Sequence, residues 1–185
     1  MQKINRTTET IVFTAVFAAL CCVATYVIVI PLPYGYFNTG DIFVLLSGWF
    51  LGPIYGFIAA AIGSMLADIL SGFVFYAPAT FLIKGIDAVL AYYIWRLLKA
   101  VIKKENLDFL PRASSAFVGE LFMVFGYFMF ESILYGIVGG TASLLGNALQ
   151  GVICALVATI IVGILYRITF IKQEFPALYK EEINR

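Results

Sequence analysis

The sequence has no histidine and only 12% charged residues, against about a quarter in an ordinary soluble domain. Without histidine there is no imidazole acid–base chemistry, no Ser-His or Cys-His nucleophile pair and no His-ligated metal site. Cysteine is sparse: Cys21, Cys22 and Cys154 all lie in apolar runs without CxxC spacing. That excludes a disulfide framework and leaves them as small packing residues. No GxxxxGK[ST] phosphate loop occurs, so any ATP-driven step needs separate subunits. No convincing internal repeat and no linker divides the chain, which reads as one domain over residues 1–185. No cofactor, metal or nucleic-acid partner is expected.

What the chain has instead is apolar length. Of its residues 62% are hydrophobic, with a mean hydropathy of +0.97. The apolar runs are long and continuous rather than short and alternating, which predicts an all-α integral membrane protein and not a β-barrel. Lys3 and Arg6 precede the first run in the manner of a signal peptide. The stretch from Ile11 to Ile30 is longer than a usual signal core, however, so it reads as a retained helix.

Six spans are expected, at about 8–30, 41–51, 54–71, 78–98, 113–137 and 143–167. Pro31-Leu-Pro33 ends the first, since proline cannot continue the helical ladder. Gly52-Pro53 separates the second from the third, and Gly139-Gly140 marks a turn before the sixth. The second is too short to cross ~30 Å of hydrocarbon upright, so it is expected to be tilted, shielded by neighbours or partly inserted. The tail Lys172–Arg185 mixes charges with apolar residues and is expected at the membrane interface.

Basic residues set the orientation. Lys3 and Arg6 precede span one; Arg96, Lys99, Lys103, Lys104 and Arg112 flank the fourth connection; Arg167, Lys172, Lys180 and Arg185 follow the last span. The connections between spans one and two, three and four, and five and six contain no Lys or Arg, which places the fourth connection in the cytoplasm as well. Both termini are therefore expected in the cytoplasm.

Against this background a few polar residues gather near the outer face. They are Asn38, Asp41, Asp68, Lys84, Glu131, Asn147 and Gln150. An ionisable group inside a membrane is a functional-site hypothesis by default, because burying it unpaired is expensive. Tyr34, Tyr36, Phe37, Tyr76 and Tyr135 surround them, as expected of a small-molecule pocket with aromatic walls and few polar groups. Plainer readings stand beside this one. Lys84 and Glu131 can form an ion pair between helices; Asn147 and Gln150, three apart on one face, can be interhelical glue. Asp41 can cap a helix, Asp68 can be structural, and the tyrosines can be an aromatic belt. Asp87 and Glu120 read as packing or coupling residues. Ala15 and Ala19 form a small-xxx-small pair on the first helix, and helix three carries Gly56, Ala60 and Ser64 on one line and Ala59, Gly63 and Ala67 on the next.

The segments Phe37-Asn-Thr-Gly-Asp41, Gly48-Trp-Phe-Leu-Gly-Pro53, Gly63-Ser-Met-Leu-Ala-Asp68 and Tyr76-Ala-Pro-Ala-Thr80, continuing to Lys84-Gly85, resemble the substrate-binding S components of energy-coupling factor (ECF) vitamin transporters, of the riboflavin type. The resemblance covers the six-span layout and most of residues 10–150. It implies capture of a vitamin or precursor on the outer side of a bacterial cytoplasmic membrane. It also implies a lid in the first loop, here Tyr34, Tyr36 and Phe37, and a transmembrane coupling protein with two cytosolic ATPases. Ala15 and Ala19 would contact the coupling protein, and the S component would topple in the bilayer to release its cargo. Pocket residues would be Asn38, Asp41, Tyr76, Lys84, Glu131, Asn147 and Gln150.

The expected activity is therefore binding, not catalysis. Pyridoxine, hydroxymethylpyrimidine, riboflavin and queuosine types are the cargoes the resemblance implies, and a carboxylate in the pocket favours an amine or a pyrimidine-like donor edge. Two rivals are a stand-alone proton-coupled transporter, with Asp68, Lys84 or Glu131 as relay, and an intramembrane enzyme, which lacks histidine and any paired-carboxylate metal motif.

Overall fold

The computed structural model describes residues 6–31, 36–102 and 109–175. Five helices carry the fold: α1 (Arg6–Val27), α2 (Gly40–Leu70), α3 (Ala77–Val101), α4 (Phe109–Leu165) and the short α5 (Thr169–Glu174). Between α1 and α2 lies a small antiparallel pair, β1 (Val29–Pro31) with β2 (Tyr36–Asn38), in the register Val29↔Asn38 and Pro31↔Tyr36. Tyr34, Lys103, Lys104 and the tail from 176 onward lie outside the described residues.

The two long helices are not continuous rods. Gly52 in α2 has φ 79° and ψ −175°, and Gly136 in α4 has φ 77° and ψ 171°. Those backbone angles are open essentially to glycine alone. At 1.5 Å per residue an unbroken α4 would run about 85 Å, nearly three times a bilayer core. The break at Gly136 divides it into two segments of bilayer scale. Pro53 directly follows the break in α2, where its missing N–H costs nothing because that position starts a new helical segment. Among the described residues, α1, α3 and the halves of α2 and α4 make six helical segments, of which 40–51 is short.

Several boundaries differ from the sequence expectation. The first helix ends at Val27 rather than Ile30, because 29–31 pair with β2 instead. Gly139 and Gly140 are helical and buried, and the break falls three residues earlier at Gly136. There is no turn at the double glycine; those residues let the chain pass close by Phe128 and Ser132. The Phe175 ring packs edge-on at 5.0 Å from both Phe13 and Phe50.

The short segment 40–51 is shielded by protein. Of residues 40–50 all but Phe43 are buried, enclosed by α1, α3 and α4. This explains how about 17 Å of helix can sit inside a membrane bundle. Small residues make the close approach possible: a Cβ at Gly63 would clash with the backbone carbonyl of Ala18 on α1. Outward-facing side chains are apolar, including Ile58, Ile133 and Ile160. Three helices (α1, α2 and α4) have the length and apolarity to cross a membrane; α3 carries Lys84, Asp87, Arg96 and Lys99.

The interior is layered along the bundle. One end is an apolar core of Trp49, Trp95, Ala116, Ala158 and Val162, where the buried Arg112 guanidinium lies 4.0 Å from the Tyr166 ring centre. The other end, near the β pair, is polar.

Candidate ligand-binding site

The polar end encloses a cavity with ≈ 400 Å³ of empty space, part of it open to solvent. Four helices (α1 to α4) and β2 offer one or more groups to it. Thr25 comes from α1, Tyr36 and Asn38 from β2, and Ser64 and Asp68 from the second half of α2. Thr80 and Lys84 come from α3, with Tyr76 at its N-cap; Tyr127 and Glu131 come from the first half of α4, and Asn147 and Gln150 from the second. The second half of α2, α3 and both halves of α4 each present a pair of polar side chains about one turn apart to this end of the bundle.

The β pair closes one side. Gln150 accepts the backbone N–H of Asn38 at 2.8 Å, while the Asn38 side chain accepts the Gly40 N–H at 2.9 Å. Tyr36 donates its hydroxyl to Asp68 Oδ1 at 2.5 Å, and its ring lies 4.9 Å from that of Phe73. Burial, followed by the neighbouring Asp68 charge, pushes the Tyr36 phenol well above its ordinary pKa, so it remains a donor. Phe37 is partly exposed and is not on the cavity wall.

Beneath the cavity sits a buried ion pair between Lys84 Nζ and Asp41 Oδ1. Asp41 Oδ2 accepts the Gln150 amide at 2.6 Å. Asp41 therefore neither lines the cavity nor caps α2: Thr39 occupies the N-cap position, and Asp41 anchors Lys84 and Gln150 from below. The ion pair considered between Lys84 and Glu131 does not form. Glu131 instead accepts hydroxyls from Tyr76 at 3.3 Å and from Ser143. Lys84 also lies 5.3 Å from the Tyr127 ring centre, and Tyr127 shares a 2.9 Å hydrogen bond with Thr80.

Of the residues expected in the pocket, Asn38, Tyr76, Lys84, Glu131, Asn147 and Gln150 come together on its wall, and Asp41 stands behind them. Tyr135 is outside the wall. Asp68 is on it, although a structural role was open for it. Thr25, Ser64, Thr80 and Tyr127 were missed. Each is a lone hydroxyl in an apolar helix, and a hydroxyl at that spacing is common enough in membrane helices to carry little signal by itself.

A second feature was hidden by sequence distance. Carboxylate oxygens of Asp41, Asp87 and Glu120 lie within 4.8 Å of one another, and all four oxygens of Asp87 and Glu120 are buried without a hydrogen-bond donor. A cation could bridge such a spacing with oxygen ligands, but the Lys84 ammonium already sits on Asp41. Ala15 and Ala19 are both exposed on the outer face of α1, opposite the buried line through Thr14, Cys21 and Thr25.

Comparison with known proteins places this arrangement. Residues 5–167 match the family model described as ECF-type riboflavin transporter, S component. The chain belongs to that S component family. A relative from Pyrococcus woesei, known only as an uncharacterized protein in gap 3′region, is 31% identical over 132 residues, covering 70% of this chain and 83% of its own length. Among solved structures, the S component of a bacterial ECF transporter superposes with a TM-score of 0.69 at 18% identity, covering 87% of this chain and 97% of that one. At that identity the likeness speaks to the fold. S component membership makes the chain a multi-pass membrane protein of the vitamin-type, substrate-binding class, in a family of transporter components rather than enzymes. It implies in general a nutrient substrate and ECF-module partners.

Proposed function

We propose that this protein captures a small ring-containing nutrient from outside the cell and delivers it with a coupling protein and two cytosolic ATPases. The observation that carries the reading is the cavity itself: five helical segments and β2 converge polar groups on it, and Gln150 tethers the closing strand. Such a site suits a ligand held by hydrogen bonds within apolar and aromatic walls. Pocket contacts would come from Asn38, Tyr76, Lys84, Glu131, Asn147 and Gln150, with Asp41 behind and Tyr34, Tyr36 and Phe37 in the lid.

The six helical segments fit six spans with both termini inside. Arg96, Lys99, Arg112 and Arg167 gather at the end of the bundle away from the cavity, as cytoplasmic loops require. The exposed Ala15 and Ala19 offer a flat surface on which another membrane helix can pack closely, the expected seat of the coupling protein. Residues 1–185 act as one binding unit, and the membrane is the bacterial cytoplasmic membrane.

Cargo uptake by cells tests the reading. It should require the ATPases of an ECF module and stop when they are deleted. Uptake that persists without them, and that collapses with the proton gradient, would instead establish the proton-coupled rival.

A further inference from the structure

We infer, resting on the capture reading above, that the ligand of this cavity is a cationic ring compound with N–H donors on two edges, one facing Asp68 and the other Glu131. Three charged side chains line the cavity: Asp68, Lys84 and Glu131. The single ammonium is already committed to Asp41, and both partners are at most 4% exposed. Neither Asp68 nor Glu131 has an ion-pair partner among the described residues. The cavity wall thus carries two carboxylates that the protein does not neutralise, each only 2–4% exposed. A buried charge left in that state is costly, and a cation of the right shape removes the cost.

The hydrogen bonds point the same way. Asp68 uses Oδ1 for the Tyr36 hydroxyl; Oδ2 is buried and makes no well-formed hydrogen bond, with the Thr80 hydroxyl near the carboxylate. Glu131 receives one neutral hydroxyl on each oxygen, from Tyr76 and Ser143. A carboxylate accepts about four hydrogen bonds, so both retain open acceptor sites. The buried Ser64 hydroxyl on the same wall is also unpartnered.

The two carboxylates are joined by aromatic rings. Tyr36, Phe73, Tyr76 and Phe130 form a row with centroid separations of 4.9, 5.9 and 5.3 Å. Tyr36 holds Asp68 at one end, and Tyr76 holds Glu131 further along. Of these rings Tyr36 and Tyr76 stand on the cavity wall; a flat ligand ring between them would meet a carboxylate at each edge, and aromatic faces favour positive charge on it. An anionic ligand would meet the two carboxylates and find Lys84 occupied.

The test uses the full chain, purified in mild detergent, with calorimetric titration of three probes sharing one ring: pyridoxamine, pyridoxine and pyridoxic acid. They differ by an ammonium, a hydroxyl and a carboxylate. Thiamin and riboflavin form a second pair, cationic and neutral. In whichever set binds, the cationic member should be about tenfold or more tighter than the neutral one, since a positive charge beside two unpaired carboxylates is attracted to them whether or not it sits on an N–H. Asp68→Asn and Glu131→Gln should each bring that preference toward unity, with an unchanged unfolding temperature showing that the variant is folded. A neutral or anionic probe that binds as well as the cation overturns the inference and leaves nutrient capture standing. A folded wild-type protein that binds none of the five counts against capture itself, and the inference falls with it.

Discussion

Gln150 accepts the backbone N–H of Asn38 at 2.8 Å across the cavity mouth, and the same amide donates to Asp41 Oδ2 at 2.6 Å. One side chain therefore links the closing strand, the second half of α4 and the ion pair beneath the floor. Any movement of β2 away from the bundle must break the first bond, and any loss of Asp41 must disturb the second.

Gln150→Ala should therefore loosen closure. It leaves the Asn38 N–H and one Asp41 oxygen without their partner, at a cost of about 1–3 kcal/mol. If β2 closes over bound ligand, dissociation should quicken by about tenfold or more, with a smaller change in association rate. Stopped-flow release of ligand measures both.

The pair Lys84–Asp41 predicts non-additive behaviour. Lys84→Met alone strands a buried carboxylate, and Asp41→Asn alone strands a buried ammonium; each should destabilise by about 3–5 kcal/mol. The double variant should recover much of that loss in a thermal unfolding series. Ligand affinity should not recover if Lys84 also touches the ligand. Full recovery of affinity would reduce the pair to a structural role.

Gly136→Ala isolates a backbone effect. A Cβ there would meet nothing within 4 Å, yet the residue has φ 77° and ψ 171°. The expected cost is about 1–3 kcal/mol from conformation alone, read as a lower unfolding temperature with ligand stoichiometry retained.

Much of this was legible from the residues, for identifiable physical reasons. Long apolar runs declare membrane helices, and Gly52-Pro53 is a chemical interruption that any helix must respect. Glu131, Lys84 and Gln150 stand out because their burial in such runs is costly. Pairing was less legible. Lys84 finds Asp41 rather than Glu131 because the short first half of α2 is packed inside the bundle, which places Asp41 beneath the cavity. Likewise Asp41, Asp87 and Glu120 converge only after three helices pack. The break at Gly136 was placed at the neighbouring Gly139-Gly140, since glycine spacing alone does not reveal which residue adopts positive φ.

Ala15→Trp with Ala19→Trp should separate capture from transport. Both positions are exposed on α1, so bulk there should leave ligand affinity within about twofold while uptake in cells falls to background. Unchanged uptake would move the coupling surface to another face; lost binding in a folded protein would tie α1 to the pocket instead.

The most direct measurement is to purify the chain from its native membrane in mild detergent, without any partner, and to identify bound small molecules by mass spectrometry. The account predicts about one ring-containing nutrient per chain, depleted in Asp68→Asn and Glu131→Gln. A folded protein that carries no such molecule, and takes up none when riboflavin, thiamin or the pyridoxine compounds are supplied, would contradict it.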